Sequence, residues 1–147
     1  MLSLSLLFAC GGNPNLPTQS KSNTGTLNAT IGGAAHESLN TISLVSAGAV
    51  DMRGAGVLGH ELHLHLAAGA IVGVNVLGGG LTTSFAEYDN GSIHWATDPL
   101  GNTGTITVTR RTTTHITGTF SFTMLPVDAA NRNVTLAVTN GVFDVAL

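Results

Sequence analysis

The segment GHELHLHL, residues 59–66, is the part of the chain whose residue types and spacing best fit chemistry. Successive side chains of a β-strand point to opposite faces, so His63 and His65 point the same way and can reach one metal ion. Zinc needs three or four such ligands. The same alternation directs His94 and His115 outward. One hypothesis is therefore a zinc site at His63, His65, His94 and His115, and the alternative is a solvated histidine face.

The leucines of the same segment indicate which way its side chains point. Leu62, Leu64 and Leu66 alternate with polar residues and are predicted to form the buried face. Glu61 then lies on the outer face with the two histidines. His60 falls on the leucine side, so it does not join them without a β-bulge. A metal-dependent binding protein or enzyme is the functional hypothesis that this pattern supports.

Other patterns favour a protein that is not an enzyme. The chain has no G-x-S-x-G turn for a nucleophilic serine. Residues 78–80 are three glycines, but neither the lysine nor the helix of a phosphate-binding loop follows them. Four aspartates are interpreted as residues of turns and strand ends: Asp51, Asp98, Asp128 and Asp144. No catalytic residue is predicted.

Composition excludes nucleic acid as a partner and gives glycan binding little support. The net charge is −3, and the five Lys and Arg residues are scattered, so no basic surface for nucleic acid is predicted. Glycan binding relies on exposed aromatic rings, and the chain has one Trp and one Tyr. Trp95 alternates with Ile93 and is predicted to be buried, whereas Tyr88 precedes a turn and is predicted to be exposed.

The elements that must position these residues are β-strands. From Gly104 to Leu147 apolar residues alternate with Thr and Ser, a pattern typical of a half-buried antiparallel sheet with a hydroxyl-rich outer face. No helix is predicted, and Asn90-Gly91 and Asn140-Gly141 are interpreted as hairpin turns. The predicted fold is all-β, an antiparallel two-sheet sandwich of about nine to ten strands. The alternative is a lipocalin-like up-and-down barrel that holds a small apolar ligand.

Alternation along the strands also predicts the core. Its members are Ile42, Leu44, Leu62, Leu64, Leu66, Ile106, Val108, Phe120, Phe122, Val138, Phe143 and Val145.

The amino terminus resembles the end of a bacterial lipoprotein signal peptide. An apolar run precedes Cys10, the only cysteine, and Leu7 and Ala9 occupy the positions that permit cleavage before it. The resemblance implies that Cys10 carries the lipid, palmitate included, and that residues 1–10 are the signal-peptide remnant. Residues 11–25 have the composition of a flexible tether, and residues 26–147 form one β domain. Gly11 is not acidic, which favours the outer membrane.

Three strand motifs, GTITVT, ITGTFSF and VTNGVFDV, resemble a family of small bacterial lipoprotein domains of unknown function that is common in Bacteroidetes. Residues 104–108, 116–122 and 138–145 match its pattern, and the resemblance extends over residues 25–147. It implies a membrane-anchored, non-enzymatic binding or structural module of the cell envelope, on the periplasmic side or at the surface. The motifs are structural, so the resemblance transfers no catalytic residue.

Overall fold

The computed structural model describes residues 21–22, 25–78, 83–98, 100–101, 103–128 and 134–147. These residues form twelve β-strands: β1 (Lys21–Ser22), β2 (Gly25–Ile31), β3 (Ala34–His36), β4 (Asn40–Ser46), β5 (Ala49–Ala55), β6 (Glu61–Leu66), β7 (Gly73–Leu77), β8 (Phe85–Asp89), β9 (His94–Ala96), β10 (Gly104–Arg111), β11 (His115–Pro126) and β12 (Leu136–Ala146). The one helical element among them is a short 3-10 turn, Val57–Gly59. In the part of the chain described, no helix has the length and apolar character that a bilayer span requires.

The strands pair antiparallel in the order β1-β4-β5-β6-β8-β9-β11-β12-β2-β3, and β10 and β7 extend the sheet from β11. The long β11 connects two halves, because its end pairs with β9 while most of its length pairs with β10 and β12. We name the half formed by β1, β4, β5, β6, β8 and β9 sheet A. The half formed by β7, β10, β11, β12, β2 and β3 is sheet B. The sheet curls into a half-barrel. The all-β prediction is confirmed, with twelve strands in place of nine to ten.

The core lies between the two halves. Ten of the twelve predicted core residues are buried, and the two exceptions, Ile42 and Leu44, are half-exposed. In β4 the polar Thr41 and Ser43 face the core instead, because pairing with β5 aligns Ser43 with the buried Met52. The Ser43 hydroxyl donates to the Ala146 carbonyl at 2.6 Å, which satisfies it in the core and joins sheet A to the end of β12.

Asn140-Gly141 is not the predicted hairpin turn but part of β12. Asn140 has a φ of 52°, and the register between β11 and β12 shifts beside it, so the pair forms a β-bulge. A side chain at Gly141 would overlap the Phe120 ring. Asn90-Gly91 does lie in a hairpin, but four residues rather than two separate Asp89 from His94.

Two other predicted segments differ at their ends. The strand predicted for the GHELHLHL segment, residues 59–66, begins only at Glu61, after the 3-10 turn. Cys10 and most of the predicted tether, residues 11–25, lie outside the described residues. Within that tether Lys21–Ser22 pair with β4, and Gly25 begins β2.

Candidate functional site: a histidine and carboxylate face

The outer face of sheet A collects charged and histidine side chains from four neighbouring strands. We call it the His–carboxylate face and define it by Asp51 and Arg53 of β5, Glu61, His63 and His65 of β6, Glu87 and Asp89 of β8, and His94 of β9. Strand register aligns them: His63 is opposite Arg53 on one side and Glu87 on the other, and His65 is opposite Asp51. Burial of the β6 leucines fixes this orientation, as the alternation predicts.

His63 lies at the centre of this face and is only 5% exposed, although it points away from the core. Its Nε2 is 2.8 Å from Asp51 Oδ1, and its Nδ1 is 3.0 Å from Glu87 Oε2. A carboxylate only accepts hydrogen bonds, so the imidazolium form alone donates to both partners. The two carboxylates therefore hold the ring in one orientation between β5 and β8.

Asp51 also joins the second histidine. Its Oδ1 is 2.9 Å from His65 Nδ1, so one oxygen accepts from two rings. Burial by itself raises the pKa of Asp51, but the hydrogen bonds and positive charges of His65 and His63 outweigh burial and hold this pKa below its ordinary value of 3.8. Phe85 covers the pair: its ring stacks on His65 at a centroid distance of 4.6 Å and meets His63 edge-on.

The remaining charges of this face are more exposed. Arg53 and Glu61 form an ion pair at 2.8 Å that contributes little to stability because both side chains are well solvated. His94 is 3.7 Å from Glu87 and 3.8 Å from Asp89. A shallow cleft of about 170 Å³ lies between these side chains. Clefts of about 320 Å³ flank it on both sides, one beside Ile42 and Leu44 and one beside Leu125 and Pro126.

The four predicted zinc ligands do not all meet. His63, His65 and His94 share the face, but His115 lies on sheet B, where it pairs with Asp144. His60 lies apart from them and shares a hydrogen bond with the Tyr88 hydroxyl at 3.1 Å. Over the described ranges, no group of three or more His, Cys, Asp or Glu residues is arranged to hold a metal ion.

Sequence reasoning missed Asp51 and Glu87 as members of the site. The sequence pattern places Asp51 at a turn or strand end, but it lies inside β5 and faces outward with Arg53. The signal was present: Ala47-Gly48 forms a two-residue turn, and alternation from there places both residues on one face. Tyr88, predicted to be exposed, is buried at 8% exposure, which removes the one aromatic ring that favoured glycan binding.

Comparison with known proteins gives one match. The family model of the domain of unknown function DUF6252 matches residues 23–145. No curated protein and no solved structure has a significant match to the chain.

Proposed function

The chain belongs to the DUF6252 family, and we propose that it is a lipid-anchored, non-enzymatic binding module of the bacterial cell envelope. The sequence around Cys10 supports the anchor, since Leu7 and Ala9 fit a lipoprotein cleavage site and a polar segment follows. A lipid on Cys10 holds a protein at a membrane without a spanning helix. Gly11, which is not acidic, favours the outer membrane.

The observation that carries the binding function is the concentration of charge on the His–carboxylate face. Only 9% of the residues are charged, yet four of the eight acidic residues lie on this face: Asp51, Glu61, Glu87 and Asp89. Arg53 is the one Lys or Arg among the residues that define it. With His63 and His65, which donate to Asp51, three positive groups stand against four carboxylates. The ligand that this excess of negative charge favours is a positively charged segment of another molecule.

The contacts within this face support binding rather than catalysis. A general base needs a free lone pair within reach of a substrate proton. Both ring nitrogens of His63 face carboxylates, and Asp51 Oδ1 already accepts from two rings. These groups hold one another in place, while the more exposed Glu61, Asp89 and His94 are accessible to a ligand.

The anchor is tested by expressing the full chain in a bacterium supplied with radiolabelled palmitate. We expect label in the wild type and in a Ser43→Ala control, and none in Cys10→Ser, with detergent-phase partitioning lost in the same variant. Label on Cys10→Ser, or no label on the wild type, refutes the anchor.

The binding face is tested with a fluorescent lysine-rich peptide and anisotropy. We expect saturable binding that weakens as salt increases, because salt screens exposed charges. The double variant Glu61→Gln, Asp89→Asn should bind several-fold more weakly, whereas Asp144→Asn, on sheet B, should bind like the wild type. Equal affinity of all three proteins contradicts the assignment.

Zinc binding is a second candidate, favoured by one observation: His63 Nε2 and His65 Nδ1 both lie within 2.9 Å of the same Asp51 oxygen. The described residues do not form a preassembled metal site, so zinc would have to draw these side chains into a new arrangement. Zinc there would replace the protons that the two rings share with Asp51. After chelator treatment, Zn²⁺ at about 100 times its dissociation constant should raise the melting temperature by about 10 °C. His63→Ala and His65→Ala should abolish the rise and His115→Ala should not; no rise in the wild type excludes this candidate.

A further inference from the structure

Four exposed aliphatic side chains lie close together at the edge of sheet B. Ile71 and Val72 directly precede β7, and Val74 and Val76 belong to it. Their exposed fractions are 66%, 56%, 61% and 50%, and we call the four side chains the β7 patch. Residues 67–77 include no charged residue. Exposed apolar side chains that cluster, rather than lying singly, mark sites of interaction.

The strand part of the β7 patch lies on the outer face of sheet B. In the antiparallel pairing of β7 with β10, Val74 is opposite Thr107 and Val76 is opposite Thr105. Both threonines alternate with the buried side chains of β10 and therefore point away from the core. The His–carboxylate face is on the outer side of sheet A, so the two surfaces share no residue.

Hydrogen bonds hold the loop that leads into the β7 patch. The Asn75 side chain accepts from the Ile71 N–H at 3.1 Å and donates to the Ile71 carbonyl at 3.0 Å. Arg111 donates to the Ala70 carbonyl at 3.3 Å and to the Gly48 carbonyl at 3.0 Å, which joins this loop to the turn between β4 and β5. Both backbone groups of Ile71 have partners, so this residue can leave water without losing a hydrogen bond.

A positive charge accompanies the β7 patch. Arg110 is in β10, two residues beyond the pairing of Val108 with Gly73 at the start of β7. Its partner on β11 is a threonine of the outer face. Arg110 is exposed and forms no ion pair with any described residue, whereas Asp144 of β12 is paired with His115. The charge of Arg110 is therefore available to an anionic partner.

The chain also enters the domain from this end. β1 pairs antiparallel with β4, and its first residue, Lys21, is opposite Ser43. The entry is therefore from the end where β4 finishes and Ala47-Gly48 turns into β5, the turn that Arg111 joins to the loop before β7. Lys21 follows Cys10 by eleven residues, which reach at most about 40 Å when extended. A lipid on Cys10, as in the proposed function, would keep this end of the domain near the membrane.

We propose that the β7 patch and Arg110 dock on a membrane surface that contains anionic lipids. The aliphatic side chains enter the boundary between headgroups and acyl chains, and Arg110 lies beside lipid phosphates. The proposal rests on the proposed anchor only for bringing this end to the membrane. A second copy of the chain fits less well, because Asn75 already occupies the backbone groups of Ile71 and the Gly73 carbonyl that edge-to-edge pairing would use.

The test measures co-sedimentation of the full chain carrying Cys10→Ser with vesicles of phosphatidylcholine, with and without phosphatidylglycerol. This protein has no site for the lipid, so the result does not depend on acylation of Cys10. We expect saturable binding that is stronger when phosphatidylglycerol is present. Adding Ile71→Ser and Val72→Ser should weaken binding about tenfold, because two aliphatic side chains then no longer leave water. Adding Arg110→Gln instead should weaken binding to the anionic vesicles about fivefold.

The matched control adds Leu39→Ser and Leu58→Ser to the same protein. These side chains are 70% and 87% exposed, and they lie at the opposite end of sheet A, where Leu39 bonds to Ala55 and the 3-10 turn follows. We expect this variant to bind like the protein that carries Cys10→Ser alone. Residues 1–9 are identical in all of these proteins, so any affinity that they contribute is common to all.

Equal binding of the patch variant and the control variant overturns the proposal, as does an absence of binding to both kinds of vesicle. A dimer in light scattering that Ile71→Ser and Val72→Ser abolish also overturns it, because a second copy would then cover the patch. The palmitate experiment tests the anchor separately. Vesicle binding without palmitate labelling refutes the anchor alone, and labelling without vesicle binding refutes the docking surface alone.

Discussion

His63 shows how a histidine that points away from the core becomes buried. Strand register places Glu87 opposite it on β8, the diagonal Asp51 reaches its ring from β5, and Phe85 covers the ring edge-on. Asp51 is the member of this network with the most partners, since both His63 and His65 donate to it. The stability of the face therefore depends on Asp51 more than on the exposed pair of Arg53 and Glu61.

Replacing Asp51 with Asn should destabilise the fold by about 1–3 kcal/mol, because the amide keeps the shape but leaves His65 without a charged acceptor and His63 with Glu87 alone. Urea unfolding monitored by Trp95 fluorescence measures the change. Asp89→Asn, at an exposed position of the same face, should remain within about 0.5 kcal/mol of the wild type. If the two variants lost the same unfolding free energy, the hydrogen bonds of Asp51 would stabilise the fold no more than the exposed Asp89 does.

His36 predicts a pH dependence of stability. Burial holds its folded pKa below the 6.5 of an exposed histidine, so as the pH falls below 6.5 the unfolded chain takes up a proton before the folded chain does. Stability from this residue is complete above pH 6.5, falls as the pH drops, and levels off below the folded pKa. The titratable groups that face it are His60 and Tyr88, whose ring meets it edge-on at a centroid distance of 5.9 Å.

The measurement compares unfolding free energies at pH 7.5 and 5.5. His36→Phe should lose less stability than the wild type over this interval, whereas His94→Phe, at a half-exposed position, should lose as much as the wild type. If His36→Phe loses as much unfolding free energy between pH 7.5 and 5.5 as the wild type does, the His36 ring takes up its proton as readily in the folded protein as in the unfolded chain.

At the scale of the elements, the bulge in β12 depends on a glycine. Gly141 lies against the ring of Phe120, which in turn stacks on Phe122 and Phe143. A methyl group there must displace a ring that is packed on its other side. The Asn-Gly pair therefore serves close packing inside a strand, where a sequence reading assigns a turn.

Gly141→Ala should destabilise the domain by about 1–3 kcal/mol, the usual cost of inserting atoms into a packed core. Gly69→Ala is the matched control, because a side chain there meets nothing within 4 Å. Thermal unfolding of both variants checks the expectation. A neutral Gly141→Ala would show that Phe120 moves aside freely.

Alternation in the sequence predicted where the strands lie better than it predicted which strands pair with one another. A two-residue period of apolar side chains predicts strands β6, β10, β11 and β12 and their buried residues, because one face of each strand is apolar. Alternation could not assign β4, where both faces carry apolar or hydroxyl residues and pairing with β5 decides which is buried. Alternation correctly placed His63 and His65 on one face. It could not show that His115 lies apart from them or that Glu87 lies beside them, because both depend on the order of the strands in the sheet.

At the scale of the whole molecule, β11 is the strand that both halves share. It pairs with β12 over most of its length, with β10 along its other edge and with β9 at its end. By contrast, β3 has three residues and, among the described strands, pairs only with β2. Among the described residues, the strand pairing that connects the two halves therefore runs through the end of β11, where Leu125 and Pro126 pair with β9.

Native-state hydrogen exchange should reflect this arrangement. We expect the amides of β11 and β12 to exchange only through global unfolding, and those of β3 to exchange through local opening with a smaller denaturant dependence. Exchange followed residue by residue at increasing denaturant measures both. Protection of β3 equal to that of β11 would indicate that the domain opens as one cooperative unit.

The segregation of charge gives the molecule an electrical polarity. Carboxylates gather on the outer face of sheet A, while the outer face of sheet B along β10 and β11 is built largely from threonine. A body with this distribution has a dipole moment, and a negatively charged lipid surface repels its negative end over roughly 10 Å at 0.1 M salt. If Cys10 tethers the domain to such a surface, the electric field of the lipid turns the threonine side of the domain toward the membrane. The His–carboxylate face then points to the aqueous compartment.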